Sequence, residues 1–307
     1  MKNVRRSTYR DVVALELDTG SFRIKFLPEN GGRLISLVDE RGREWMASES
    51  GDHYREIGLD TSYVDADVCG MDDMFPTIDP ELAPVDGGCR RGVLYNDHGE
   101  IARSCYDQWS IEDGMIRMGF TSTRLLYRYE KLVRALPDGA ALISYKITNL
   151  SSDPFPFLWA GHCMLASEPG GRLELPFREG SAAEISFDEN GEYGSRGTRV
   201  QVTDEMLTSR SFSPDGNAYK FYYLDKTSSG VIRYTVGGHS FVMEYDETKL
   251  PYVGVWMNNG KFKGFPCVTP EPCSVAFDKV SEARKRGQES VILPGESFSF
   301  NLKISIQ

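Results

Sequence analysis

The sequence has few of the features that short catalytic motifs require. It contains only four histidines among 307 residues, and it lacks the patterns HExxH, GxSxG, a Walker phosphate loop, and GxGxxG after a strand. These absences exclude the commonest motif-based assignments as a zinc protease, a serine hydrolase, a nucleotide-binding protein or a dinucleotide-binding protein.

Long apolar runs and paired cysteines are also missing. No stretch approaches the roughly 18 apolar residues that a membrane helix needs, and the N-terminal segment MKNVRRSTYRDVVALEL lacks the apolar region of a signal peptide. The six cysteines form no CxxC pair and lie mostly beside bulky or small neutral residues, which predicts reduced, buried thiols. We therefore expect a cytoplasmic protein without a membrane partner.

The chain has fewer basic than acidic residues: it contains 35 Lys and Arg and 45 Asp and Glu residues, which give a net charge of −10. A nucleic-acid partner needs cations to neutralise its phosphates. The short basic cluster RKR at residues 284–286 is flanked by glutamates and is typical of solvated surface. The balance therefore argues against nucleic-acid binding.

Extended segments dominate what remains. They alternate apolar and polar residues with period two, are rich in Val, Ile, Phe and Tyr, and are separated by Gly, Pro, Asn and Asp turn signals. These segments are SFRIKFL, ALISYKITNL, GVIRYTVG, SFVMEYD, YVGVWMN and SFSFNLKISI. Only TDEMLTSRSF and DKVSEARKRG could each make a short helix. We predict an all-β fold, a large antiparallel β-sandwich, as a single domain over residues 1–307.

His162 lies in the apolar segment FPFLWAGHCMLA, residues 155–166. A buried imidazole must satisfy one donor and one acceptor, so an apolar strand gains nothing from it unless a polar group lies opposite. Such a histidine is more often a satisfied core residue than a catalyst. From the pattern alone, both interpretations stay open.

Glu271 lies in a similarly apolar stretch, CVTPEPCSVAFD, with no basic residue within several positions. Desolvation raises the pKa of such a carboxyl, which suits a general acid or base near neutral pH, although a turn glutamate beside Pro272 is the simpler interpretation. Upstream lie Trp256, Asn258 and Phe262. Aromatic faces with amide groups are what a sugar-binding surface requires.

A third candidate region is NDHGEIARSCYDQW, which concentrates polar and aromatic side chains. If EIARS is extended, Glu100 and Arg103 point to opposite faces. The alternative is a loop with surface ion pairs. His98 and Arg103 are the candidate ligand-binding residues here.

Several segments, taken in order, resemble the aldose 1-epimerase (galactose mutarotase-like) superfamily over nearly the whole chain. They are GGRLISLVDERGREWM, GMDDMFPT, DHGEIARSCYDQW, YKITNLSSDPFPFLWAGHCML, YVGVWMNNGKFKGFPCVTPEP and ILPGESFSFNLKISI. HGEIAR with a following tryptophan looks most like the HGFAR…W pattern of the hexose-6-phosphate epimerase-like branch. The resemblance implies the large antiparallel β-supersandwich of that superfamily.

The resemblance also implies residue roles. In that family one histidine protonates the ring oxygen of a sugar, a glutamate deprotonates the anomeric hydroxyl, and a second histidine and an arginine hold the substrate. By position in the motifs, these roles fall on His162, Glu271, His98 and Arg103 respectively.

The acidic residue that binds sugar hydroxyls in many members is harder to place. Asp72 or Asp73 in GMDDMFPT is one candidate, and Asp225 in FYYLDK is another. Trp159 lies near His162 in sequence and is a candidate for the pocket wall.

The resemblance implies a carbohydrate epimerase that interconverts α and β anomers of an aldose or aldose phosphate by acid/base ring opening, without a metal or organic cofactor. The alternatives are a non-catalytic carbohydrate-binding or sensing protein and another carbohydrate enzyme on the same scaffold. The expected partner is a small-molecule carbohydrate, and the expected state is a monomer or homodimer. A phosphate would need cations; besides Arg103, the candidates are Arg33, Arg90, Arg91 and Arg124.

Overall fold

The computed structural model describes residues 3–58 and 61–307, and most of their regular structure is extended. The strands of the first half are β1 (Val4–Tyr9), β2 (Val12–Asp18), β3 (Phe22–Leu27), β4 (Arg33–Asp39), β5 (Met71–Met74), β6 (Glu81–Leu82), β7 (Leu94–Tyr95), β8 (Gln108–Glu112), β9 (Met115–Ser122), β10 (Tyr127–Ala135), β11 (Ala141–Asn149) and β12 (Phe155–Pro156). Those of the second half are β13 (Ala160–Cys163), β14 (Leu165–Ala166), β15 (Arg172–Glu174), β16 (Ala182–Asp188), β17 (Arg199–Gln201), β18 (Ala218–Tyr223), β19 (Val231–Val236), β20 (His239–Tyr245), β21 (Tyr252–Asn259), β22 (Pro266–Cys273), β23 (Val291–Ile292) and β24 (Ser297–Ile306). All six segments predicted as extended form strands.

Helical structure is confined to short pieces. The predicted helix in DKVSEARKRG is confirmed as α1 (Val280–Lys285), and the chain leaves it through Gly287, whose φ of 75° suits a helix end. The segment TDEMLTSRSF forms only a 3₁₀ turn at Asp204–Leu207, and two further turns lie at Tyr63–Asp65 and Ile101–Arg103. None of the helices in the described ranges is long and apolar enough to cross a membrane.

Two antiparallel sheets carry the fold, as predicted. The larger has 12 strands in the order β1-β2-β3-β4-β5-β13-β22-β21-β18-β16-β17, with β14 paired to β22, and is called the large sheet below. The smaller has 8 strands in the order β15-β19-β20-β24-β11-β10-β9-β8 and is called the small sheet. Alternate residues of β11 are buried between the sheets, as period-two patterning requires.

Trp159, predicted as a wall of the pocket, instead belongs to the core between the sheets. Its side chain is fully buried, and its indole N–H donates to the Tyr129 hydroxyl at 2.8 Å. Its ring packs edge-to-face on Phe300 of β24, with centroids 4.5 Å apart. A large aromatic residue whose one polar atom is satisfied inside the core is a packing residue.

A buried ion pair also links the two sheets. The Lys131 ammonium on β10 lies 2.6 Å from an Asp73 carboxylate oxygen on β5 and donates to the Gly32 carbonyl at 2.8 Å. The Tyr145 hydroxyl donates to the same carboxylate at 3.2 Å. Asp73, one of the acids considered for sugar binding, therefore has its partners inside the core.

The central strands of the large sheet are buried on both faces, which explains their apolar sequences. Every residue of β13 and of β18 is buried. One face packs on the small sheet, and other parts of the chain cover the opposite face. His162 sits in such a doubly covered strand, so its burial alone does not distinguish a core residue from a site residue.

The segment EIARS differs from the extended conformation considered above. Ile101–Arg103 is a 3₁₀ turn in which the Ser104 N–H donates to the Ile101 carbonyl at 2.9 Å. Ile101 and Ala102 are both buried, whereas an extended chain would have sent them to opposite faces. The turn is the conformation that buries both.

None of the six cysteines is in a disulfide. Four are buried as predicted, but Cys89 and Cys105 are exposed, so the prediction of buried thiols is wrong for these two. Both lie in loops, where neutral sequence neighbours do not determine burial.

Candidate functional site

A cavity of about 240 Å³ lies against the face of the large sheet that points away from the small sheet. Strands β13, β16, β18, β21 and β22 and the loops around them contribute its walls. Five of the eight residues predicted for the site line it: His98, His162, Trp256, Asn258 and Glu271. The other three, Asp72, Arg103 and Trp159, are not among its lining residues.

Strand register places the key side chains on one face. Gly254 of β21 lies opposite Glu271 of β22, and Trp256 lies opposite Lys220 of β18. Because alternate residues share a face, Glu271, Trp256 and Lys220 all point into the cavity. A Cβ at position 254 would meet the Tyr222 ring at 2.7 Å, so glycine there leaves room for that ring beside Glu271.

His162 and Glu271 face each other at the bottom of the cavity. Nε2 of His162 is 3.6 Å from Oε1 of Glu271, which is too long for a hydrogen bond. The Glu271 side chain is fully buried, and the His162 side chain is 9% exposed. Nδ1 of His162 has no hydrogen-bond partner among the described residues. Two titratable groups with unsatisfied atoms therefore meet at a solvent-connected cavity.

Burial shifts the titration of both groups toward their uncharged forms. It lowers the pKa of His162 well below its usual value, and the positive charges of Lys220 and Arg33 act in the same direction. It raises the pKa of Glu271, a rise that the nearby Lys220 ammonium partly offsets. Opposite shifts in a neighbouring acid and base bring their proton affinities closer together, which favours exchange of a proton between them.

Lys220 and Asp278 complete the buried charges of the site, and neither was predicted from the sequence. The Lys220 ammonium lies 2.7 Å from Oε2 of Glu271 and 2.8 Å from Oδ1 of Asp278. Burial alone would lower the pKa of Lys220, but the two carboxylates raise it above its usual value. A charge within the apolar run AYKFYY was the available signal, the same one that singled out Glu271.

His98 is held in place by a carboxylate and an aromatic ring. Its Nδ1–H donates to Oδ1 of Asp97 at 2.7 Å, which leaves Nε2 as the free ring nitrogen. Its ring stacks on Tyr63, with centroids 3.8 Å apart and an interplanar angle of 2°. The φ of His98 is 56°, a left-handed conformation that histidine adopts more readily than most residues. This loop geometry brings the His98 ring within 6.0 Å of the His162 ring.

Asp72, predicted to bind sugar hydroxyls, lies behind the cavity wall instead. It is fully buried on β5, and its carboxylate accepts from Nε of Arg33 at 2.7 Å and from the Tyr63 hydroxyl at 2.5 Å. These two donors occupy both of its oxygens. Asp72 therefore fixes Tyr63, which in turn stacks on His98.

Arg103 likewise binds the protein's own backbone. Its guanidinium donates to the carbonyls of Asp97, Gly58 and Thr61 at 2.5 to 3.1 Å, and its side chain is 2% exposed. The sequence resemblance implied direct contact with the sugar. In this structure Arg103 ties the loop that carries Asp97 and His98 to the backbone at Gly58 and Thr61.

Asn258 shapes a loop at the mouth of the cavity. Its side-chain amide donates to the carbonyls of Phe262 and Phe265, at 2.9 and 2.7 Å, and its side-chain oxygen accepts from the Gly260 N–H at 3.2 Å. This loop carries Phe262 to an aromatic cluster with Trp256 and Phe187. The three ring pairs have centroid distances of 5.4 to 5.9 Å.

The cationic side chains at the cavity differ from the arginines that were candidates for binding a substrate phosphate. Arg33, Arg90, Arg91 and Arg124 do not line it. Within the described part of the chain its cations are Lys220, Arg196 and Lys263. Arg196 pairs with Glu282 at 2.9 Å and Lys263 with Glu49 at 3.1 Å. Across residues 3–58 and 61–307, no three His, Cys, Asp or Glu side chains are placed to hold a metal ion.

No protein-family model matches the chain, and no curated protein sequence matches it. Solved structures do. A Klebsiella pneumoniae protein named provisionally as an aldose 1-epimerase matches with a TM-score of 0.75 at 15% identity, covering 98% of this chain and 81% of that chain. A galactose mutarotase-like protein from Clostridium acetobutylicum matches with a TM-score of 0.66 at 14% identity, covering 99% and 98%. One from Lactobacillus casei matches with a TM-score of 0.62 at 16% identity, covering 96% and 100%. At these identities the matches show the fold, and they confirm the architecture that the sequence resemblance implied.

Proposed function

We propose that this chain, whose fold is that of the galactose mutarotase-like proteins, interconverts the α and β anomers of an aldose or aldose phosphate in the cavity on its large sheet. The observation that carries the proposal is the pair formed by His162 and Glu271, 3.6 Å apart and buried at the cavity floor. The reaction exchanges protons at two oxygens bound to one carbon. An acid and a base that serve such closely spaced atoms must themselves be close together.

The proton balance of the reaction fits a single pair of one acid and one base. Ring opening removes the proton of the anomeric hydroxyl, adds a proton to the ring oxygen and breaks the bond between that oxygen and C1. Rotation about the C1–C2 bond then presents the other face of the aldehyde, and ring closure reverses both transfers. No atom or electron is gained or lost, so the pair needs a single proton between its two members.

The order of transfer follows from where that proton starts. Protonated His162 with ionised Glu271 gives the order that the sequence resemblance implies, with His162 as the acid. Neutral His162 with protonated Glu271 holds the same proton and runs the same transfers in the opposite sense. Burial favours the uncharged form of each group, whereas the Lys220 ammonium favours the ionised form of Glu271. Since opening and closure exchange the roles, both arrangements support the full cycle.

The surroundings of the pair suit a sugar. Nε2 of His98 offers a hydrogen-bonding nitrogen near His162, and Asp97 and Tyr63 keep its ring in position. Trp256 and its aromatic neighbours provide an apolar face of the kind that packs against the C–H groups of a pyranose. Together these groups surround a polar reaction centre with an apolar wall.

Exchange NMR tests the proposal. Saturation transfer between the anomeric protons is measured for a panel of aldoses and aldose 6-phosphates, with and without the wild-type protein, and binding of each sugar is measured in parallel. We expect faster exchange for at least one sugar. Binding without any acceleration would instead identify a carbohydrate-binding or sensing protein, and it would contradict the proposed enzyme.

A further inference from the structure

We propose that Lys220 is a positioning residue that fixes which oxygen of Glu271 exchanges protons and that, opposed by Asp278, sets how tightly the pair of His162 and Glu271 holds its proton. The inference deepens the function proposed above and rests on it for its catalytic meaning. Its structural content can be tested without any catalysed reaction.

The geometry is that of one buried cation shared by two carboxylates. The Lys220 ammonium lies 2.7 Å from Glu271 and 2.8 Å from Asp278, and the side chains of the three residues are 9%, 0% and 7% exposed. A charge buried to this extent is tolerated only when it is paired. Lys220 therefore cannot leave one carboxylate without a substantial cost.

The arrangement distinguishes the two oxygens of Glu271. Oε2 faces the Lys220 ammonium, and Oε1 faces Nε2 of His162 at 3.6 Å. An ammonium bound to one carboxylate oxygen leaves the other as the atom free to take or give a proton. Oε1 is therefore the proton-exchanging atom.

Asp278 is fixed from several sides. Its Oδ1 accepts from the Tyr222 hydroxyl at 2.8 Å, and its Oδ2 accepts from the Ser186 hydroxyl. Its backbone carbonyl accepts from the N–H groups of Ile78 and Asp79 at 3.1 and 2.8 Å. A carboxylate held so firmly competes with Glu271 for the charge of Lys220.

The groups facing Glu271 come from every neighbouring element. They are Lys220 and Tyr222 of β18, His162 of β13, His98 of the adjoining loop, Cys273 of β22 itself, and Asp278 after that strand. Of these, Lys220 favours the ionised carboxylate, and Asp278 opposes it. Lys220 also disfavours the imidazolium form of His162.

These signs predict opposite effects of two substitutions. Lys220→Met removes the cation, and we expect the pKa values of both Glu271 and His162 to rise, that of Glu271 by roughly 1 to 3 pH units. Asp278→Asn removes the competing anion and leaves Lys220 to Glu271, so the pKa of Glu271 is expected to fall. Lys220→Arg keeps the cation and is expected to stay near the wild-type value.

The measurement is a ¹³C and ¹⁵N NMR titration of the Glu271 carboxyl and the His162 ring in the full chain. Lys303→Met is the matched control, because Lys303 also bridges two carboxylates, Asp138 at 3.1 Å and Glu244 at 3.2 Å, but lies outside the cavity. We expect it to leave both titrations unchanged. Unchanged Glu271 and His162 titrations in Lys220→Met, or same-direction shifts of Glu271 in Lys220→Met and Asp278→Asn, would overturn the inference.

A second readout separates this inference from the proposed function. If the wild type catalyses exchange, its bell-shaped pH profile is expected to move to higher pH in Lys220→Met and to lower pH in Asp278→Asn. Catalysis with an unmoved profile contradicts the role of Lys220 alone. Absence of catalysis contradicts the proposed function, while the NMR titration still decides the inference. If Lys220→Met does not fold, Asp278→Asn and Lys220→Arg decide it by the same titration.

Discussion

Replacing Glu271 with glutamine separates the chemical role of this residue from its structural one. The amide has the shape of the carboxyl group, and its oxygen can still accept a hydrogen bond from Lys220. It cannot exchange a proton at the position of Oε1, which lies 3.6 Å from His162. The substitution therefore removes the proposed chemistry while keeping most of the packing.

The expected loss is large in activity and small in stability. General acid–base catalysis contributes roughly 10²- to 10⁴-fold, which corresponds to about 2.7 to 5.5 kcal/mol of activation free energy. In the folded protein Lys220 keeps its second partner, Asp278, at 2.8 Å. The remaining difference between a charged and a neutral acceptor is about 1 kcal/mol, or roughly 2 to 4 °C in Tm.

The stability difference is also expected to depend on pH. Burial raises the pKa of Glu271 in the folded state, so its favourable contribution is full below the unfolded pKa and is lost as pH rises through the folded pKa. Glutamine does not titrate. Relative to the wild type, Glu271→Gln should therefore become more stable as the pH is raised across this range.

Anomer exchange by NMR and thermal unfolding at several pH values measure both effects. Glu16→Gln is the matched control: Glu16 is also a buried glutamate and forms ion pairs with Arg5 and Lys25, but it is on β2 and does not line the cavity. We expect normal exchange from this control. An exchange rate in Glu271→Gln within a few-fold of the wild type, on a sugar that the wild type accelerates, would refute the role of Glu271.

Two further predictions concern the support of His98 and the aromatic wall of the cavity. Asp97→Asn replaces the carboxylate that accepts from His98 Nδ1–H with a neutral amide oxygen, and the weaker hydrogen bond, by about 1.4 kcal/mol, should lower kcat/KM by roughly 10-fold. Steady-state exchange rates at varied sugar concentration check this, and an unchanged kcat/KM would contradict it. Trp256→Ala removes the largest ring of the aromatic wall, so sugar binding should weaken by roughly 10-fold, about 1.4 kcal/mol, while kcat stays near the wild-type value. Calorimetry measures the affinity, and an unaltered affinity would show that the sugar does not pack on Trp256.

The all-β fold and its strands could be predicted from the sequence because period-two alternation and turn residues are signals contained in short segments. YVGVWMN and SFSFNLKISI both form strands where predicted. EIARS was harder, since the choice between a strand and a turn depended on burying Ile101 and Ala102 against distant loops. The single domain, the oligomeric state and the cellular location remain predictions.

The site was predicted in part, for an equally physical reason. His162 and Glu271 stood out as titratable groups in apolar segments, and the structure brings them to one cavity. The sequence of one segment does not determine which face of the sheet a side chain points to, or which side chains lie next to it there. Asp72 and Trp159 were therefore predicted to line the cavity, although both are buried behind it. Lys220 was missed because its acidic partners are more than fifty residues away in sequence.

The most direct test of the central claim compares the wild type with His162→Asn in anomer exchange. Equal concentrations of the two folded proteins are added to each sugar, and saturation transfer between the α and β anomeric protons gives the rates. We expect the wild type to accelerate exchange of at least one aldose or aldose phosphate and His162→Asn to lose most of this acceleration. Equal rates for the two proteins on every sugar tried would contradict it.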